Sequence, residues 1–171
     1  SPKSTGRPVK GISPRTLEVL DLYRAHMVRR NLAKSSMARY LTDLRGLARA
    51  VDPTPLVAAS TEQIEVYLDA KQLSSPRSRY RFVSEFHTFF RWALAHGHAT
   101  QDPTVRLERP RLSRLLPRPV NDEALAYAIR VAGPQMTAWF VLMAFAGLRC
   151  AEVATLDRGG ISARALRIIG K

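Results

Sequence analysis

The stretch VLMAFAGLRCAEVATL, residues 141–156, runs almost unbroken through apolar side chains to Gly147 and then presents Arg149. Glu152 follows three positions later, on the same face if the segment is helical, where its carboxylate can orient the guanidinium. Phosphodiester chemistry needs positive, preorganised donors where charge develops on the non-bridging oxygens. An arginine between two helices, beside the free N–H groups of the second, is suited to grip a phosphate. Its other use would be to satisfy the carbonyls that end the preceding helix.

Two further clusters have the composition of a nucleic-acid surface. Lys34, Ser35, Ser36 and Arg39 gather cations and hydroxyls at the start of one predicted helix, an arrangement that suits a phosphate. Arg77, Ser78, Arg79 and Arg81, then Ser84, His87 and Arg91, lie on another predicted helix, where 77, 81, 84, 87/88 and 91 recur at three- and four-residue spacing opposite a phenylalanine stripe. Either face alone reads more readily as an ordinary solvated face. Two such faces in a strongly basic chain point to DNA.

Other chemistries find no support. His26, His87, His96 and His98 lack the spacing of a metal-ligand set, and no Walker A, GxGxxG or GxSxG pattern is present. Tyr23, Tyr40, Tyr67, Tyr80 and Tyr127 all fall in helical patterns, and none reads as an activated nucleophile. Cys150 reads as a small packed residue. As the sole cysteine it excludes an internal disulfide and a cysteine zinc cluster.

The elements that must position these residues follow from periodicity and capping. Ser13-Pro14 opens a helix to about residue 30, with Leu17, Val19, Leu20, Tyr23 and Met27 inward. A second runs from about 35 to 51, capped by Ser35 or Ser36, with Met37, Tyr40, Leu41, Leu44, Leu47 and Ala48 on its apolar face. Ser60-Thr61-Glu62-Gln63 has the capping-box pattern and opens a third, with Ile64, Tyr67 and Leu68 inward. Ser75-Pro76 opens a fourth to about His96, whose core stripe is Phe82, Val83, Phe86, Phe89, Phe90, Ala93 and Leu94, closed by Gly97. The proline- and arginine-rich QDPTVRLERPRLSRLLPRPV reads as an extended linker. Asn121 then caps a helix to about Val131 with Ala124, Leu125, Ala128 and Ile129 inward. Pro134 opens another to about Ala146, apolar nearly all round and therefore expected to be buried on most sides. A short helix follows from Cys150 to Leu156, and ALRIIGK reads as a strand reaching a turn at Gly170-Lys171. The predicted organisation is a basic disordered tail, 1–12, a helical DNA-binding domain, 13–103, a linker, 104–119, and a second domain beginning at 120. The unpartnered strand and the start at Ser1 without Met read as a piece of a longer protein.

The bulk numbers agree with a nucleic-acid partner. Among 171 residues, 27 Lys and Arg face 14 Asp and Glu, a net charge of +13, and 22 of the 27 are Arg. Arginine is the side chain suited to bidentate phosphate contact. No run of 18 uncharged apolar residues is present to span a membrane, and residues 1–11 have no secretory apolar region. A reducing cytosolic location fits.

The motif AGLRCAEVATL resembles the GLRxxE[LV]xxL box of the tyrosine recombinases, the phage-integrase and Xer type. SMARYLTDL, 36–44, is similar to the family's TxxxYxxDL, with Ser36 in the threonine position. RFVSEFHTFFRWALAHGHATQDP, 81–103, is similar to its RxxSxxxxxFxx[YF]L…P stretch, and RIIGK, 167–171, to its R[VI]xGKG strand and turn. The four occur in the family's order. The resemblance implies a mainly α chain: a SAM-like core-binding domain of four to five helices, followed by the helical beginning of an α+β catalytic domain, the two forming a C-shaped clamp around duplex DNA. It implies that Arg149 binds the scissile phosphate, that Lys171 assists the leaving 5′-oxygen, and that Glu152 supports Arg149. It further implies strand cleavage through a 3′-phosphotyrosine, without metal, ATP or other cofactor. The second arginine, the histidines and the nucleophilic tyrosine would then lie beyond residue 171, and this chain alone would bind DNA without cleaving it. A phage or mobile-element integrase in a bacterial host, acting on the nucleoid as a homotetramer on paired core sites, is preferred over a chromosome-dimer resolvase. Two departures stand out: the interval from Arg149 to Lys171 is short, and Gly160 occupies a place where the family often has aspartate. A non-catalytic helical repressor or architectural protein is the rival reading.

Overall fold

Residues 11–113, 118–162 and 165–168 are described by the computed structural model. They fall into two compact units, Ser1–Ser113 and Arg114–Lys171.

The first unit is built on four helices: α1, Pro14–Arg29; α2, Lys34–Ala50; α3, Thr61–Ala70; and α4, Pro76–Ala95. Their starts are written in side chains. Ser13, Ser60 and Ser75 each accept a hydrogen bond from a first-turn N–H, and Ser60 and Gln63 complete a reciprocal capping box. The start of α2 differs from the expectation that Ser35 or Ser36 caps it. Asn31 sits in the left-handed region at φ 53°, and the Leu32 N–H returns to the Met27 carbonyl at 3.1 Å. That tight reversal starts α2 at Lys34 with Ala33 as a cap that offers no side-chain bond, so both serines lie inside the first turn.

The core has α4 at its centre, packed on α1 and α2. Tyr23, Met27, Leu44, Leu47, Ile64, Leu68, Val83, Phe86, Phe89 and Phe90 are fully buried. The α4 stripe departs from the expected one at a single turn: Leu94 is 43% exposed and Trp92 is buried in its stead. Trp92 packs on Tyr23 of α1, with ring centroids 4.9 Å apart, a contact between helices that periodicity along α4 alone does not reveal. Thr16 is buried, and its hydroxyl oxygen accepts the Leu56 N–H at 3.1 Å, tying α1 to the turn Leu56–Ala58. At the α2–α3 contact Gly46 gives way to Tyr67; a Cβ there would meet the Tyr67 hydroxyl oxygen at 2.5 Å.

The segment expected as an extended linker begins instead as part of this unit. Pro103–Arg106 forms a 3₁₀ turn packed on α3 and α4, with Thr104 and Leu107 buried. Asp102 caps that turn through the Thr104 N–H at 2.8 Å. Residues 114–117 of the expected linker, like residues 1–10 of the expected tail, lie outside the described residues.

The second unit contains α5, Asp122–Val131; α6, Pro134–Phe145; and α7, Cys150–Ala154. Asn121 caps α5 through the N–H groups of Glu123 and Ala124. Helix α6 is not buried as its composition predicts: none of its residues is buried, and Phe145 is 74% exposed. Nor does α5 bury the four residues expected inward, of which Ala124 is exposed. Among the described residues of this unit only Leu148 and Val153 are buried. An apolar surface declares the need for cover; it does not supply it within this length of chain. The predicted strand is likewise absent among the described residues. Only one antiparallel bridge, Ile161 with Leu166, stands there.

Candidate phosphate site and nucleic-acid interface

Gly147 makes the junction that presents Arg149. It takes φ 67°, where glycine is favoured, and the Leu148 N–H returns to the Leu142 carbonyl at 3.3 Å. Arg149 then becomes the N-cap residue of α7. Glu152 holds it twice: one carboxylate oxygen accepts the Arg149 backbone N–H at 2.8 Å and the other accepts the guanidinium at 2.9 Å. These bonds hold the Glu152 carboxyl below its ordinary range, the backbone N–H contributing most. The guanidinium bonds to Glu152 and, among the described residues, to none of the carbonyls that end α6. Its side chain is 84% exposed. It is thus oriented by one partner with most of its donors directed to solvent. Cys150, expected to be packed, is exposed beside it.

Lys171, with Ile169 and Gly170, lies outside the described residues. The departure at Gly160 has a local reason. The Arg167 N–H bonds the Gly160 carbonyl at 2.7 Å, and a Cβ at 160 would lie 3.0 Å from the Arg167 carbonyl oxygen. Asp157 supplies a carboxylate instead, accepting the Gly160 N–H at 2.8 Å.

In the first unit the structure brings two of the candidate clusters together. Glu85 of α4, only 4% exposed, accepts from Arg39 of α2 at 2.9 Å and from Arg81 at 3.0 Å, and Arg81 also donates to Asp43 of α2 at 2.7 Å. Burial, then the adjoining Asp43, pushes the Glu85 carboxyl upward, opposed by Arg81. The sequence reading missed this carboxylate pair; the i, i+4 spacing of Arg81 and Glu85 was the signal available for half of it. Arg39 and Arg81 remain 50% and 37% exposed, so both guanidiniums are tethered and still reach solvent.

The other candidates separate into tied and free. Arg79 pairs with Asp69 of α3 at 2.6 Å, and Ser78 belongs to the cap of α4, its N–H on Ser75. Lys34, Ser35, Arg77 and Arg91 are exposed, while Ser36 and Ser84 are half-buried. His87 is held by the turn that follows the helix bundle. The Thr104 hydroxyl donates to Asp102, so its oxygen accepts from His87 Nδ1 at 2.8 Å; the Asp102 carboxylate lies 3.4 Å from the same nitrogen, and Nε2 makes no hydrogen bond among the described residues. No group of three or more His, Cys, Asp or Glu among the described residues could hold a metal ion.

Comparison with known proteins places this architecture. No family model matches the chain. A tyrosine recombinase XerD of Xanthomonas campestris pv. campestris is 34% identical over 152 residues, covering 82% of this chain and 47% of the relative. Among solved structures, a lambda integrase tetramer bound to a Holliday junction matches with a TM-score of 0.70 at 17% identity, over 96% of this chain and 52% of the other. The integrase of mycobacterium phage Brujita matches with a TM-score of 0.57 at 22% identity, over 87% and 52%. The helices, their order and the arginine junction therefore define a recombinase-type fold. The chain belongs to the tyrosine recombinase family. It spans about half the length of the curated relatives it matches.

Proposed function

We propose that this chain is the DNA-binding and phosphate-gripping portion of a site-specific tyrosine recombinase. The residues of 13–103 bind the core site, and the residues from 120 onward begin the catalytic domain. The observation that carries the reading is Arg149: a guanidinium oriented by Glu152 at a glycine-made helix junction, exposed toward solvent, inside a family motif. In this role it binds the non-bridging oxygens of the scissile phosphate and stabilises the charge that builds on them during attack. Lys171 is proposed to assist departure of the 5′-oxygen. The tethered pair Arg39 and Arg81, with Lys34, Ser35, Ser36, Arg77, Ser78, Arg79, Ser84, His87 and Arg91, supplies the duplex contacts.

None of the chain's tyrosines is proposed as the nucleophile. Burial pushes the phenol of Tyr23 strongly upward and that of Tyr67 to about 12. Tyr40, Tyr80 and Tyr127 lie in α2, α4 and α5, and no hydrogen bond to a base activates them among the described residues. The chain alone is therefore proposed to bind duplex DNA without cleaving it. The whole protein would cleave through a phosphotyrosine link and assemble as a tetramer on paired sites in a bacterial cytoplasm. Both phage-integrase and Xer-type assignments draw support, the former from the fold and the latter from sequence. The rival, a non-catalytic helical DNA-binding protein, lacks the support that the recombinase relatives lend.

The test is duplex binding by fluorescence anisotropy across a salt series, with a nicked suicide duplex in parallel. The proposal expects the logarithm of affinity to fall with the logarithm of salt by roughly 0.9 per phosphate neutralised, with no covalent product. A flat salt dependence removes the phosphate-tracking surface, and cleavage by the 171 residues alone removes the assignment of the missing nucleophile.

A further inference from the structure

Between α1, α2 and α4 lies a cleft of about 500 Å³, lined by Tyr23, His26, Met27, Arg30, Leu32, Tyr40, His87, Thr88, Arg91, Trp92 and His96. It contains two arginines and three histidines, three other aromatic rings, and no carboxylate. That composition is selective. Elsewhere in the first unit Arg39 and Arg81 pair with Glu85 and Asp43, and Arg79 with Asp69. Here Asp102 lies 3.4 Å from His87 Nδ1, but Arg30 and Arg91 have no acidic partner among the described residues, and an anion would offset their charge.

The ring nitrogens are set for such a ligand. His87 Nδ1 is held by Thr104, with the Asp102 carboxylate 3.4 Å away, and His96 Nδ1 donates to the Trp92 carbonyl at 2.9 Å. Each ring is oriented through one nitrogen and leaves Nε2 unbonded among the described residues, the arrangement in which a protonated imidazole donates outward. His26 packs against Trp92 and His96, with centroids 5.8 and 5.7 Å away. Trp92, buried at the floor, has an indole N–H without an acceptor. Aromatic walls beside cations are how proteins receive a nucleotide, ring faces for the base and guanidinium for the phosphate.

We propose that this cleft is a nucleotide-phosphate site, and that its occupant is a phosphate of a bound DNA strand. His26, Arg30, Tyr40 and His96 thereby extend the interface from α4 to the end of α1. The inference rests on the DNA-binding reading for the source of the phosphate. The chemistry itself, a phosphate next to an aromatic base, is shared with a free nucleotide.

The experiment has two arms. In the first, histidine-ring NMR spectra of the chain are followed at about pH 6, where imidazoles are partly protonated, on addition of inorganic phosphate and of dAMP. In the second, duplex affinity is measured across a salt series for wild type, for the cleft variant Arg30→Ala/Arg91→Ala, and for Arg15→Ala/Arg24→Ala, which removes equal charge elsewhere on the first unit. The proposal expects saturable shifts of His26, His87 and His96, and a salt slope smaller by about 0.9 or more in the cleft variant only. Equal losses in both variants, or unshifted histidines, overturn it while leaving DNA binding intact. If the wild-type chain binds no duplex yet dAMP saturates the cleft, the site stands with a free nucleotide as occupant, and the DNA-binding reading falls. Unfolding midpoints of both variants guard against a folding defect: a cleft variant that is unfolded is replaced by Arg30→Gln/Arg91→Gln, read by the same criteria.

Discussion

Arg39 and Arg81 share the buried carboxylate of Glu85. A buried carboxylate that loses its cationic partners is costly, and cations that lose their carboxylate lose their orientation. Glu85→Ala should lower stability by about 1–3 kcal/mol, less than for a wholly buried pair because both guanidiniums reach solvent. Urea unfolding checks this, and a change below about 0.5 kcal/mol would mean that the network is ornamental. Arg81→Ala should weaken DNA binding and stability together, since the residue is tied to Asp43 and Glu85 as well as exposed. His26 gives a pH prediction. Burial first, then Arg30, His96 and Arg29, lowers its pKa in the folded protein. The folded state then binds fewer protons than the unfolded one, so stability falls as pH drops through the imidazole range near 6.5. Melting temperatures from pH 8 to 5 should decline in wild type and decline less in His26→Gln; parallel curves would assign the effect to other groups.

Helices were largely legible in the sequence because their signals are local. Ser13-Pro14, Ser60 with Gln63, Ser75-Pro76 and Asn121 each combine a hydroxyl or amide cap with an apolar period, and each starts a helix where expected. What escaped depends on neighbours distant in sequence. Ala33 caps α2 because the chain reverses at Asn31. Trp92 replaces Leu94 in the core because Tyr23 lies across from it. The turn at Pro103–Arg106 packs on α3 and α4 although its prolines and arginines look like linker. At the site, Arg149 and Glu152 were legible as a pair by spacing, whereas the Asp43–Arg81–Glu85 link joins residues 38 positions apart. The α2–α3 contact gives the element-scale prediction. Gly46→Ala places a methyl group against the Tyr67 hydroxyl and should cost about 1–3 kcal/mol in unfolding experiments. Gly46→Ala combined with Tyr67→Phe should recover much of that loss, and failure to recover would locate the strain elsewhere.

At the scale of the molecule, the two units carry different burdens. The first has a dense aromatic core and could fold on its helices alone. The second buries only Leu148 and Val153 among its described residues and exposes an apolar helix, so it should be the less stable of the two. Hydrogen exchange should show α5 to α7 protected far less than α4, and equal protection would contradict that ordering. On the proposed DNA-binding reading, the basic excess of +13 would give association its long-range component, and the tethered arginines and the cleft histidines its geometry. On the proposed reading Arg149 belongs to the chemistry, and the helical surfaces hold the duplex. The decisive measurement is covalent-adduct formation on a half-site suicide duplex, using a form of the protein that includes the proposed nucleophilic tyrosine. Arg149→Ala is expected to slow adduct formation by about a hundredfold or more, while duplex affinity changes by less than about threefold, the loss of one exposed phosphate contact. An adduct formed at the wild-type rate by Arg149→Ala would contradict that reading.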